Sequence, residues 1–375
     1  MKVIIATGGT GGHIFPAIAV AEQIRKHYPE AKIKFVGSTK GMEAKILQDQ
    51  GWDFTGIPAV KLMRTGIFSW IKAPFILMAA AFDALFTLLT FGPDVVLGSG
   101  GYASGPIVLL AALIRIPTAI IEQNTRAGRT NRILSKFVDE AFISFDMVRE
   151  QFGKLPTLLT GNPLRADLVT AVEESDAKET PKTPVLLVIG GSQGGRGINN
   201  AVIEALPGLK TELPSLRIIH QTGKPDYDTV VAAYKEHEYT NAEIRPFFDN
   251  VADVYKQATV AISRSGAGGV AELSAFGIPT IFVPFPYAVD DHQRLNAESY
   301  ISVSKAGVVI SQSQLNGNVL IHELEELLSD AEEMKEMRHQ ARCWSKPQAA
   351  ADVARRLVEM AGLPTSPFEK EHEEN

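Results

Sequence analysis

Residues 3–13 read Val3-Ile4-Ile5-Ala6-Thr7-Gly8-Gly9-Thr10-Gly11-Gly12-His13, a short apolar run opening directly into four glycines. The run has the length of a buried strand. A helical pattern follows from Pro16 to His27, where Ile18, Ala21, Ile24 and Arg25 recur at three- and four-residue steps. A glycine-rich turn between a buried strand and a helix lets backbone N–H groups approach a phosphate at the positive end of the helix dipole. The arrangement occurs a second time: Val185-Leu186-Leu187-Val188-Ile189 runs into Gly190-Gly191-Ser192-Gln193-Gly194-Gly195. Its repetition predicts two similar halves facing one cleft.

The pattern continues outward from both points. Further strand signals in the first half are Ile33–Val36, Val95–Leu97, Thr118–Ile121, Glu140–Ser144 and Thr157–Leu159. Those of the second half are Arg217–His220, Ala242–Arg245, Val260–Ser263, Thr280–Val283 and Gly307–Ile310. Helical stretches separate them, which argues for α/β architecture with parallel, doubly wound sheets. The polar, proline-bearing stretch 171–184, AVEESDAKETPKTP, reads as a surface connection between the halves. A last helical pattern from Ser345 to Ala361 precedes a charged tail, FEKEHEEN, expected to fray.

At 375 residues, two domains are expected. A 45% hydrophobic and 21% charged composition is that of a folded protein. The net charge of −6 argues against nucleic acid as the main partner. The single cysteine, Cys343, excludes an intrachain disulfide and suits a reducing compartment. Met1-Lys2 runs straight into the first strand signal, so these residues read as the start of the fold and no secretory signal is expected in them. Residues 73–92, APFILMAAAFDALFTLLTFG, are long enough for a membrane span, but a core strand signal follows at once. They read better as a very apolar helix of the fold. With Lys61, Arg64 and Lys72 beside it, that helix suits either the core or a membrane surface.

The first loop lacks the Lys-Ser/Thr ending of a P-loop and, with Ile14 at the third position, the dinucleotide spacing. His13, where the first turn opens, is a candidate general base. Gly98-Ser99-Gly100-Gly101-Tyr102 follows a strand and offers a second set of backbone donors, and Glu122-Gln123-Asn124 follows another. An acid and two amides beyond an apolar strand are costly unless exposed or paired, which favours a binding role. Arg165, in Gly161-Asn162-Pro163-Leu164-Arg165, suits a phosphate or an interdomain ion pair. In the second half, Arg264-Ser265-Gly266-Ala267-Gly268-Gly269 leads into a helix carrying Glu272, placed to accept ribose hydroxyls or to complement the dipole. Asp290-Asp291-His292-Gln293 and Asn296 form a polar cluster able to bind a sugar. Asp226-Tyr227-Asp228 sits at an apparent helix start. It reads as a cap, because two carboxylates underfill a divalent shell, and no metal is expected.

Taken in order, GGTGGH, GSGGYASGP, IEQN, TGNPLR, GGSQGG, RSGAGGVAE and DHQ with Asn296 resemble the MurG-type glycosyltransferases across residues 3 to about 300. Those are peripheral membrane enzymes that add N-acetylglucosamine to the lipid-linked muramyl-pentapeptide precursor of peptidoglycan. The resemblance implies a GT-B fold: a membrane-facing acceptor domain over residues 1–165 and a UDP-N-acetylglucosamine domain over 166–344. It also implies that a helix at about 345–362 packs back onto the first domain, leaving a tail over 363–375. Ser192 and Gln193 would contact the donor diphosphate with help from Arg165, Glu272 would hold the ribose, and backbone near Phe248 would meet the uracil. Gln293, with His292, would bind the sugar, and Asn124 would reach it from the other domain. The family often has two glutamines where this chain has His292-Gln293, so His292 departs from the pattern.

Thr10, Gly11, Gly12, Gly100, Gly101 and Tyr102 would cradle the diphosphate of the acceptor, lipid I. The region 61–92 would rest on the cytoplasmic face of the bacterial membrane. Inverting transfer to the acceptor 4-hydroxyl would give lipid II and UDP, with His13 as base and Glu122 as the alternative. The donor is a substrate and no cofactor is required. Cell-wall synthesis proteins would be further partners. The rival readings are a diacylglycerol glycosyltransferase, a UDP-N-acetylglucosamine epimerase and a non-catalytic UDP-sugar-binding regulator.

Overall fold

Val3 and Ile5 project to one side of the first strand and Ile4 and Ala6 to the other, and all four are fully buried. A strand covered on both faces belongs to a parallel sheet with helices on each side. The computed structural model describes residues 1–39, 41–58, 67–175, 183–191 and 194–369. The chain forms two α/β units, residues 1–166 with 346–375, and residues 167–345.

The first unit contains β1 (Lys2–Ala6), β2 (Lys32–Ser38), β3 (Asp53–Ile57), β4 (Val95–Gly98), β5 (Thr118–Glu122), β6 (Glu140–Ile143) and β7 (Thr157–Leu159). They form one parallel sheet in the order β3-β2-β1-β4-β5-β6-β7. Its helices are α1 (Gly11–His27), α2 (Met42–Asp49), α3 (Ile67–Phe91), α4 (Ser104–Leu113) and α5 (Arg129–Leu134). The second unit contains α6 (Ala166–Ser175), β8 (Val185–Ile189), α7 (Arg196–Glu212), β9 (Arg217–Gln221), α8 (Tyr227–Glu236), β10 (Ala242–Arg245) and α9 (Val251–Tyr255). It continues through β11 (Val260–Ser263), α10 (Ala267–Ala275), β12 (Thr280–Phe282), α11 (His292–Ser304), β13 (Gly307–Val309), α12 (Gly317–Ser329) and α13 (Ala331–Trp344). This sheet is also parallel, in the order β10-β9-β8-β11-β12-β13. The chain then returns to the first unit with α14 (Ala349–Met360) and α15 (Ser366–Glu369).

Both orders reverse once, between β1 and β4 and between β8 and β11. Ligands of open α/β sheets bind beyond the strand C-termini at that reversal. The glycine clusters leave β1 and β8, so each lies at its own sheet's switch point.

α14 contributes Val353, Ala354, Leu357 and Val358 to the core that β1 and α1 form on one face of the first sheet. Truncating a buried leucine such as Leu357 to alanine costs about 2–5 kcal/mol. The opposite face is covered by α3, α4 and α5 through Ala84, Leu88, Ile107, Val108 and Leu134.

Three local expectations change. β3 was unmarked in the sequence: Asp53-Phe54-Thr55-Gly56-Ile57 is an edge strand with one fully buried apolar residue. α1 begins at Gly11 rather than Pro16: its first turn is built on Gly11 and Gly12, whose weak helix propensity leaves no helical pattern to read there. The tail is also partly anchored. Phe368 is buried in the first unit's core, its ring 4.0 Å from that of His27, and Tyr28 donates to the Pro364 carbonyl.

Candidate active site

The first loop and the loop after β4 touch backbone to backbone. Gly101, at φ +85°, lies against the Gly8 carbonyl so closely that a Cβ would overlap it. Residues with a side chain are strained at that φ, and here one would also part the two loops. Thr10 is the N-cap of α1, and Gly11 and Gly12 form its first turn. First-turn N–H groups lack intrahelical acceptors and point outward. Tyr102 is exposed at the neighbouring loop. Thr10, Gly11, Gly12, Gly100, Gly101 and Tyr102 therefore gather at one sheet edge.

His13 stands one residue further into α1. Its Nδ1 lies 3.2 Å from Oε1 of the buried Gln123, and Ser99 donates through Oγ to the His13 carbonyl. Glu122, the alternative base, is committed elsewhere. Its Oε2 accepts from the Gly128 N–H and Asn131 Nδ2, each at 2.9 Å, and its Oε1 accepts from the Asn124 N–H at 3.1 Å. This carboxylate shapes the loop after β5 and orients Asn124, which is half-buried. Arg165 belongs to the first unit, its guanidinium 5.6 Å from the Phe15 ring on α1.

In the second unit, Gly194 packs against the end of β9, where a Cβ would come within 2.6 Å of the Thr222 carbonyl. Ser192 and Gln193 lie outside the described residues. Beneath the loop, Asn199 donates through Nδ2 to the Thr222 carbonyl and to Asp226, and its Oδ1 faces His220 Nε2 at 3.0 Å. Tyr234 completes the set with its hydroxyl 3.1 Å from His220 Nδ1. Burial pushes the His220 imidazole down to about 3, so it is neutral at physiological pH. Asp226, considered above as a cap, is engaged by Asn199 and by Arg196 at 3.2 Å.

Glu272 lies on α10 with its Oε2 accepting from the Tyr255 hydroxyl at 2.7 Å. The Phe248 N–H donates to Gln221 Oε1 at 3.1 Å, so this backbone donor is already engaged within the unit. His292 and Gln293 begin α11. His292 Nδ1 lies 2.8 Å from the Val289 carbonyl, and Gln293 Oε1 accepts from the Phe285 N–H at 2.9 Å. Asn296 is fully buried and donates to the Ser265 carbonyl. It braces the entry to α10, whereas the sequence placed it among the sugar-binding groups.

The sequence reading assigned no role to Arg264, Asn199 or Gln221, and took Gln123 only as one member of a polar triplet favouring a binding role. Arg264 donates to the Val283 and Pro284 carbonyls and to Gln312, tying the ends of β11 and β12 together. Burial lowers its guanidinium from the ordinary value. The available signal was position: each is a polar residue directly at or beyond an apolar strand, or in the first turn after a glycine loop.

Residues 3–143 match the glycosyltransferase family 28 N-terminal domain and residues 185–357 its C-terminal domain. A UDP-N-acetylglucosamine–N-acetylmuramyl-(pentapeptide) pyrophosphoryl-undecaprenol N-acetylglucosamine transferase of Geobacter sulfurreducens is 41% identical, covering 96% of this chain and 98% of its own. The crystal structure of Acinetobacter baumannii MurG superposes with TM-score 0.77 at 31% identity, covering 96% of this chain and 99% of that one. A UDP-GlcNAc 2-epimerase of Neisseria meningitidis shares the fold alone, with TM-score 0.65 at 16% identity and coverage of 96% and 100%. Two parallel-sheet units, each with a glycine loop at its switch point, are the GT-B architecture, and the chain belongs to the MurG-type N-acetylglucosamine transferases of glycosyltransferase family 28.

Proposed function

We infer that this chain transfers N-acetylglucosamine from UDP-N-acetylglucosamine to the 4-hydroxyl of lipid I, forming lipid II and UDP with inversion at the anomeric carbon. The geometry that carries the chemistry is His13, held one residue inside a helix whose first turn and two facing glycine loops open on the same sheet edge. The near-full-length relationship to a transferase of that name supplies the donor and acceptor.

In this reading Thr10, Gly11, Gly12, Gly100, Gly101 and Tyr102 cradle the lipid diphosphate, and His13 takes the acceptor proton. Glu122 orders the loop that carries Asn124, which meets the donor sugar. In the second unit the start of α7 with Ser192 and Gln193 receives the donor diphosphate, aided by Arg165. Preorganised donors aimed at developing charge are commonly the largest catalytic contribution. Glu272 holds the ribose, backbone at Phe248 meets the uracil, and His292 and Gln293 bind the sugar hydroxyls. UDP-N-acetylglucosamine enters as a substrate, and the scheme calls on no cofactor.

Attachment to the cytoplasmic membrane face is peripheral. No helix among the described residues is long and apolar enough to cross a membrane. On α3, Met78, Phe82, Phe86 and Leu89 recur on one exposed face, each at least 61% exposed. α5 adds exposed Ile133 beside Arg129 and Arg132, apolar and basic together as an anionic interface favours. Lys61 and Arg64 lie outside the described residues, as does the side chain of Lys72.

The deciding experiment is UDP release by the purified protein with UDP-N-acetylglucosamine and a lipid I analogue. Release that requires lipid I supports the reading. Release that requires diacylglycerol instead, epimerised sugar nucleotide without acceptor, or UDP-sugar binding without turnover would each replace it.

A further inference from the structure

We propose that Gln123 is the positioning residue of the His13 base: it holds the imidazole as the tautomer protonated on Nδ1, so that Nε2 carries the lone pair that accepts the acceptor's proton. The proposal rests on His13 acting as the base.

The chemistry of a primary amide decides the direction of each bond. Gln123 Nε2 lies 3.0 Å from the Ser99 carbonyl, and a carbonyl only accepts. The NH₂ side of the amide is therefore pinned to the end of β4, and Oε1 must face His13 Nδ1 at 3.2 Å. An amide oxygen also only accepts, so Nδ1 donates. A neutral imidazole carries one proton, and the other nitrogen is then the base. Ser99 closes the circuit by donating from Oγ to the His13 carbonyl at 2.7 Å. Three segments of one unit, the ends of β4 and β5 and the first turn of α1, thus lock one ring.

Gly100 adds a steric stop. A Cβ there would stand 2.6 Å from Nδ1 and 2.8 Å from Cε1 of His13, so the backbone at φ +100° runs along the ring edge. Any side chain at 100 would displace the imidazole from Gln123. Two features thereby have a purpose that diphosphate binding leaves unexplained: a glycine against the ring, and a 2%-exposed glutamine between two strand ends.

The proton path balances. As the acceptor oxygen attacks the anomeric carbon, its proton passes to Nε2. The bond to UDP breaks and its electron pair leaves with the diphosphate. The resulting imidazolium still donates from Nδ1 to the neutral Gln123 oxygen. Because the neighbouring carboxylate of Glu122 is turned onto Gly128, Asn131 and Asn124, the Nδ1 proton meets an amide and not a charge.

The test is ¹⁵N NMR of the full chain with labelled histidine, at a pH where His13 is neutral, its signals assigned by their loss in His13→Gln. The expected spectrum has a protonated Nδ1 and an unprotonated Nε2. Gln123→Met matches the length and removes the acceptor. It is expected to move His13 toward the Nε2-protonated tautomer and to lower kcat about tenfold, with the UDP-N-acetylglucosamine KM unchanged. A wild-type His13 protonated on Nε2 overturns the proposal, and so does a Met variant with unaltered tautomer and kcat. Should that variant fail to fold, the wild-type spectrum alone decides. Near-normal turnover by His13→Ala overturns the base assignment itself, and the wild-type tautomer then shows separately whether Gln123 holds the ring.

Discussion

Gly101 and the Gly8 carbonyl are in such close approach that no side chain fits between them, and this contact joins the loops after β1 and β4 into one surface. Gly101→Ala combines a backbone strain of about 1–2 kcal/mol with a direct clash. The expected result is a raised lipid I KM and a lowered melting temperature, while the KM for UDP-N-acetylglucosamine changes little. Unchanged acceptor kinetics would show that the two loops do not act together.

His13→Ala should lower kcat by roughly 10²–10⁴-fold, the usual contribution of a positioned general base. His13 is not among the proposed donor contacts, so UDP affinity measured by calorimetry should stay at the wild-type value. Loss of UDP binding would instead move His13 into the donor site.

Glu272→Gln keeps the shape of the side chain but removes the charge that accepts from Tyr255. Hydrogen bonds to a charged group contribute about 1.5–3 kcal/mol, so UDP affinity should fall about 10- to 100-fold. Equal titration curves for the variant and wild type would refute the ribose role.

His220 makes stability depend on acidity. Its folded-state value of about 3 lies below the ordinary 6.5, so between those limits the unfolded chain binds the extra proton. Its contribution is complete above pH 6.5 and is lost as pH falls toward 3, at about 1.4 kcal/mol per unit within the window. The denaturant midpoint of His220→Gln should fall less steeply than that of wild type over this range. Parallel slopes would contradict a neutral buried imidazole.

The exposed face of α3 predicts a membrane phenotype separable from chemistry. Phe82→Glu and Phe86→Glu, at positions 70% and 61% exposed, should each weaken sedimentation with anionic vesicles about tenfold or more. Turnover of a short-chain soluble acceptor should remain as in wild type. Full vesicle binding by the double variant would locate the membrane contact elsewhere.

Much of the architecture was legible because strands buried on both faces have a plain signature. Val3–Ala6 and Val185–Ile189 are uninterrupted apolar runs, and each ends in glycines that the structure places at a switch point. β3 was not legible, since an edge strand containing Thr55 and Gly56 leaves no apolar run to detect. Phe368 was hidden by its charged neighbours: one aromatic ring can anchor a tail whose composition reads as solvated. The supporting polar groups were harder still. Gln123 stands beside Glu122 and Asn124 in a polar triplet, and spacing alone does not say which of the three faces His13.

The amino-acid sequence by itself determined the two parallel α/β halves, the two glycine loops and the residue types gathered around them. Those properties follow from local periodicity and from glycine's lack of a side chain, which act over a few residues. The tertiary structure alone decided that Glu122 is spent on its own loop, that Asn296 is a buried brace and that Gln123 faces the His13 imidazole. These outcomes depend on which strand ends lie side by side. That is set by the sheet order β2-β1-β4-β5, a long-range pairing that no local pattern records.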